Sequence, residues 1–161
     1  MAGTQFSGIK YSRADLFKGA SMVIVPPNFD DIALFAKIKE LLSPINFGTV
    51  TLSTAEKHDR IIAFTSQLAH IVSSAYIKSE TAKEHHGFSA GSYKDMTRVA
   101  TLNDEMWSEL FLQNSENLTN EIEKIIFSLT EYRDALKSGD RELLSSLLKN
   151  GTKAKAEIDG K

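Results

Sequence analysis

The groups in this sequence that could do chemistry gather in His58-Asp-Arg-Ile-Ile-Ala-Phe-Thr-Ser-Gln-Leu-Ala-His70 and in Asp95-Met-Thr-Arg98-Val-Ala. An imidazole among short hydroxyls can carry a proton or hold a polar ligand. Arg98 is the one cation of this otherwise largely apolar segment, beside a glycine loop. It either pairs with an internal carboxylate or binds an anionic ligand, as a guanidinium suits both. His58-Asp59 resembles the start of a metal phosphohydrolase centre. Such a centre needs further His and Asp ligands, and with four histidines in all no matching distal pair exists, so no metal is expected. Asp59 is then only a first-turn carboxylate that favours the helix dipole. Ser66 and His70 could serve a hydrolase, but no Gly-x-Ser-x-Gly elbow is present and a mid-helix nucleophile is poorly exposed. His85-His86 falls in an expected loop, facing solvent. Its neighbours Gly87 and Gly91 lack a following Gly-Lys-Ser/Thr, so they form a turn and not a phosphate cradle.

The element that must position the first group is a helix from roughly Ala55 to Ser79. At about 100° per residue, Asp59, Ser66, His70 and Ser73 share one stripe with Ala63. Ile61, Phe64, Leu68, Ile71, Val72 and Ala75 fall opposite. A solvent-facing stripe would carry Lys and Glu; this one carries short polar groups. It either lines a cavity or another subunit, or is a buried face whose His and Ser are satisfied by neighbours.

Around this helix the chain reads in order. Arg13 to Phe17 makes a short turn ending at Gly19. Ser21 to Val25 is an apolar run stopped by Pro26-Pro27, a buried strand. Asp30 or Asn28 caps a helix with Ile32, Leu34, Phe35, Ile38, Leu41 and Leu42 at helical spacing, and Pro44 ends it. Thr49 to Ser53 is a second strand. The connection is long enough for a parallel crossover, which gives α/β character. Two strands make no independent sheet of that type, so residues 1–53 look like the last piece of something larger. Ser53 with Glu56 fits a capping box for the long helix. Asn103 or Asp104 caps a helix from about Glu105 to Lys137. Its stripe is Trp107, Phe111, Leu118, Ile122, Ile125, Leu129, Tyr132 and Leu136, with Asn114 in the same seam. Near 50 Å long at about 1.5 Å per residue, it needs a partner along its length, and a homodimer is expected. Ser138-Gly139 stops it. Asp140 caps a last helix that ends at Asn150-Gly151, leaving a frayed tail after Thr152.

The totals set outer limits. With 161 residues, 42% of them hydrophobic, the chain can bury a core of one domain or one and a half. A net charge of -2 without a Lys/Arg cluster points away from nucleic acid. No apolar run nears the ~20 residues of a membrane span, and no basic-then-apolar leader opens the chain. Without cysteine there are no disulfides, thiolate metal sites or cysteine nucleophiles; a cytoplasmic location is expected.

Four stretches taken together resemble one family: Met1-Ala-Gly-Thr-Gln-Phe-Ser-Gly8; Ala14-Asp-Leu-Phe-Lys-Gly19 leading into a strand and Pro; His58-Asp-Arg with Ser66-Gln-Leu-Ala-His70; and Tyr93-Lys-Asp-Met-Thr-Arg98-Val-Ala followed by Met106-Trp107. Their order and spacing, from Met1 to about Lys149, are similar to prephenate dehydrogenases, including the arogenate-using relatives. The resemblance implies a mainly α fold: a β-α-β remnant of a Rossmann-type domain over 1–53, then an all-helical substrate-binding and dimerisation domain over 54–161. It implies oxidative decarboxylation of prephenate or arogenate with NAD or NADP, giving 4-hydroxyphenylpyruvate from prephenate on the route to tyrosine, itself a possible ligand. It also implies that the Gly-x-Gly-x-x-Gly half and the catalytic histidine, in His-Pro-Met-Ala-Gly, lie before Met1. This chain alone is then expected to bind no cofactor and to be inactive. By position, Arg98 would bind a substrate carboxylate, His70, Ser66 and Gln67 would line the pocket, Thr4 and Gln5 would sit at its mouth, and Trp107 at its wall. Gln5 stands where the family commonly has Glu, and Gln67 where many members have His. Neither can titrate, so substrate preference and pH dependence should differ.

Overall fold

The computed structural model describes residues 8–160; Thr4 and Gln5 lie outside them. The fold is mainly helical, with one small parallel sheet. It divides into two compact units, one reaching Leu118 and one from Thr119 onward.

The first unit opens with β1 (Ser21–Ile24), α1 (Ile32–Leu42) and β2 (Thr49–Leu52). The strands pair in parallel, Ser21 against Thr49 through Ile24 against Leu52, with the Thr49 hydroxyl donating to Ser21 Oγ at 2.8 Å. The expected burial of β1 is not found: Met22 and Ile24 are half-buried, while Ser21 and Val23 are exposed. The crossover helix α1 half-buries Leu34, Phe35, Ile38 and Leu42 and leaves Ile32 and Leu41 exposed. Its cap is Asp31, whose carboxylate accepts from the Leu34 N–H. Neither expected residue serves, because Asn28 Oδ1 is already taken by the Asp30 N–H. The chain passes itself closely before β2. The Gly48 N–H donates to the Ala20 carbonyl, and a Cβ on Gly48 would lie 2.5 Å from the Gly19 oxygen, so the approach requires glycine.

The long helix is present but not uniform. It comprises α2 (Ala55–Ile62), a π-wound turn over Ala63–Leu68, and α3 (Ala69–Ile77). Its cap is Thr54, which accepts from the Lys57 N–H at 3.2 Å. Ser53 is not the cap, since its hydroxyl donates to the Thr54 carbonyl. Ala63, Gln67, Leu68 and Ser73 are buried, whereas Ile61 and Phe64 are exposed. The inner face is therefore the one with small and polar side chains.

After a 3-10 turn over Glu80–Glu84 come α4 (Gly91–Thr97), α5 (Asp104–Gln113) and α6 (Ser115–Ser138). Asn103 caps α5 by accepting from the Met106 N–H. The single helix expected over 105–137 is thus broken at Asn114, whose backbone (φ -121°, ψ 30°) leaves the helical region. His85, expected to face solvent, is half-buried, stacked on Tyr93 at 4.6 Å and 3.1 Å from Ser89 Oγ.

In the second unit, α6 ends at Gly139 (φ 66°), where the Asp140 N–H returns to the Ala135 carbonyl. Asp140 then caps α7 (Arg141–Ile158) through the Leu143 N–H. This helix does not stop at Asn150-Gly151 as expected. Neither residue takes a positive φ, Tyr132 donates to the Leu147 carbonyl beside them, and the following Lys and Ala are strong helix formers. Among the described residues of this unit Ala135 is the one buried hydrophobic, while Phe127, Leu129, Leu136, Leu143 and Leu148 are exposed. No described helix is long and apolar enough to cross a membrane.

Candidate functional site

The site is built on the π-wound turn. The Ile61 carbonyl takes the Thr65 hydroxyl at 2.9 Å, and the Asp59 carbonyl takes Asn114 Nδ2 at 2.8 Å. Just beyond the turn, His70 Nδ1 lies 2.7 Å from the Ser66 carbonyl. A carbonyl only accepts, so Nδ1 carries the proton and neutral His70 presents Nε2 as an acceptor. The imidazole lies against Trp107, ring centroids 4.1 Å apart and 31° between planes, and Trp107 packs on Phe111 at 5.2 Å. Ser66, His70 and Trp107 are all half-buried, so the structure brings these three together.

Gln67 is buried, and its amide is committed: Nε2 donates to the Leu110 carbonyl at 3.2 Å and Oε1 accepts from Asn114 at 2.8 Å. It supports the turn from beneath. Arg98 follows α4 and is exposed. Buried Ser73, one turn beyond His70, donates to the Met96 carbonyl at 2.7 Å, which ties the end of α4 to α3. Among the described residues Arg98 has no hydrogen bond or ion pair. Of the two roles open to it, pairing with a described internal carboxylate is not realised. His58 Nδ1 sits 2.8 Å from Asp59 Oδ1 on the exposed first turns of α2. Among the described residues no three His, Asp or Glu gather as a metal site.

Sequence reasoning missed Asn114 and Ser73 as anchors. Asn114 was visible as a poor helix former in the middle of an apolar seam. Ser73 was placed on the correct stripe, but its bond to Met96 is a tertiary contact with no sequence signal.

Residues 54–150 match the family model for the prephenate dehydrogenase dimerization domain. A cyclohexadienyl dehydrogenase from Zymomonas mobilis is 29% identical over 164 aligned positions, covering 98% of this chain and 56% of that one. A Bacillus subtilis prephenate dehydrogenase is 27% identical over 149, covering 89% of this chain and 40% of its own. The chain thus spans about half the length of the curated relatives it matches. The crystal structure of A. aeolicus prephenate dehydrogenase with hydroxyphenyl propionate and NAD+ superposes with a TM-score of 0.78 at 27% identity, over 98% of this chain and 57% of that one.

Proposed function

The chain belongs to the prephenate dehydrogenase family, and on that premise we propose that it is the substrate-binding and dimerisation portion of an NAD(P)-dependent prephenate dehydrogenase. The whole enzyme oxidatively decarboxylates prephenate to 4-hydroxyphenylpyruvate for tyrosine synthesis. The reading covers arogenate too, since both substrates carry a ring carboxylate, and it includes tyrosine as an effector. The observation that carries it is Arg98, an exposed guanidinium with no partner among the described residues, tied through Met96 and Ser73 to the helix that bears His70. A fork of N–H donors is the group a carboxylate needs. His70, Ser66 and Trp107 then line the pocket, and Gln67 holds its floor.

The turn between β1 and α1 does not fit a dinucleotide. A pyrophosphate needs a glycine turn and free N–H groups at a helix start. After β1 the chain instead has Pro26-Pro27, and α1 is preceded by Asp30 and capped by Asp31, whose carboxylate already holds the Leu34 N–H. We assign NAD or NADP to the whole enzyme and expect no turnover from this chain alone.

Dimerisation belongs to the same proposal, supported by the apolar residues that α6 and α7 leave exposed.

Calorimetric titration with 4-hydroxyphenylpyruvate tests the site. Loss of a charge-assisted pair costs about 1.5–3 kcal/mol, so Arg98→Ala should weaken binding by about ten- to a hundred-fold. Equal affinity in both proteins would overturn the role of Arg98. Absence of binding to either would reduce the reading to a dimerisation unit.

A further inference from the structure

We propose that Asn114 is a positioning residue for His70, acting by bridging the last regular turn of α2 to the π-wound turn that carries Ser66. This deepens the reading of His70 as a ligand group and rests on it only for the effect on binding.

Three of the four hydrogen-bonding positions of the Asn114 carboxamide are used. Its Nδ2 donates to the Asp59 carbonyl and to Gln67 Oε1, each at 2.8 Å. Its Oδ1 accepts from Asn117 Nδ2, also at 2.8 Å. Asp59 lies in the last regular turn of α2, its carbonyl also accepting the Ala63 N–H that opens the wide turn, and Gln67 is the fifth residue of that turn, so one side chain bridges the two. Asn114 can reach it because the chain leaves helical geometry there, between α5 and α6. Gln67 carries the grip onward to the Leu110 carbonyl, 3.2 Å away.

Ser66 immediately precedes Gln67, and its carbonyl holds His70 Nδ1. Wide helical turns are less stable than regular ones and persist where tertiary contacts support them. Resetting this turn to regular winding would rotate everything after Leu68 by roughly 100°, one residue's step. His70 would then leave Trp107 and lose the carbonyl that fixes its tautomer. With the clamp intact, neutral His70 offers Nε2 to a ligand hydroxyl, and charged His70 offers an N–H to a carboxylate. Asn114 and Gln67 thus select the imidazole atom that a ligand meets, without touching the ligand.

Long-range 15N–1H NMR of the His70 ring in the intact chain reads this directly. The unsubstituted chain should show a protonated Nδ1 and a bare Nε2 above the histidine titration range. Asn114→Ala should turn this single tautomer into a mixture. Asn117→Ala, which keeps both Asn114 donations, should leave it intact. If Asn114→Ala does not fold, Gln67→Met decides, because it keeps the volume and removes both amide bonds. An unchanged His70 spectrum in the folded variants would overturn the proposal. Titration of the same samples with hydroxyphenyl propionate separates the two readings. A mixed tautomer with at least ten-fold weaker binding supports both. A mixed tautomer with unchanged affinity keeps the positioning role and overturns His70 as a ligand group.

Discussion

His70 carries its proton on Nδ1 because the Ser66 carbonyl 2.7 Å away can only accept. The same logic of donors and acceptors governs the start of α2. Thr54 accepts the Lys57 N–H. Glu56 is held below the usual carboxylate range, first by its own backbone N–H and then by the Thr54 hydroxyl. A carboxyl whose folded pKa is depressed adds stability above its unfolded pKa, and loses it as pH falls through the folded value. Thr54→Ala should therefore cost about 1 kcal/mol at neutral pH from the lost cap and move the Glu56 titration upward. Part of the stability gap between the variant and the unsubstituted chain should close in acid. Denaturant melts at several pH values, with an NMR titration of Glu56, check both.

At the scale of elements, the sequence placed most helices and mistook their interiors. The periodic count assumed even winding, and the π-wound turn at 63–68 breaks that assumption. Asn114, counted into a continuous seam, instead ends one helix before the next begins. Gly151 is the opposite error, a residue read as a stop that lies inside α7. A Cβ there would meet only the Tyr132 hydroxyl, at an ordinary 3.9 Å, and the backbone φ is not positive. Gly151→Ala should accordingly raise stability by about 0.5–1 kcal/mol. A thermal or denaturant melt that moves the other way would show that α7 is interrupted at this point.

For the molecule as a whole, the exposed apolar residues weigh most. Phe127, Leu129 and Leu136 are each more than half exposed on α6. Burying such side chains is worth roughly 25 cal/mol per Å² of apolar surface, enough for a stable association if a second copy covers them. Light scattering at micromolar concentration should give the mass of a dimer, and Leu129→Asp should shift it toward the monomer. A monomer before any substitution would overturn the dimer assignment. β2 is likewise exposed throughout.

The sequence by itself determined the mainly helical class, the parallel β-α-β start, the cap at Asp140, a cap at Asn103 or Asp104, the turn at Gly139 and the residue types of the candidate site. These follow from local rules: apolar spacing, side-chain oxygens near free N–H groups, and glycine where φ is positive. It also carried the family resemblance, through the order of four short stretches. Only the tertiary structure decided that Asn114 holds Asp59 and Gln67, that Ser73 fastens α3 to α4, that His70 rests on Trp107, and that Arg98 stands without a partner among the described residues. The physical reason is sequence distance. Asn114 lies 55 residues from Asp59 and 47 from Gln67, and no local periodicity records which distant donor meets which acceptor.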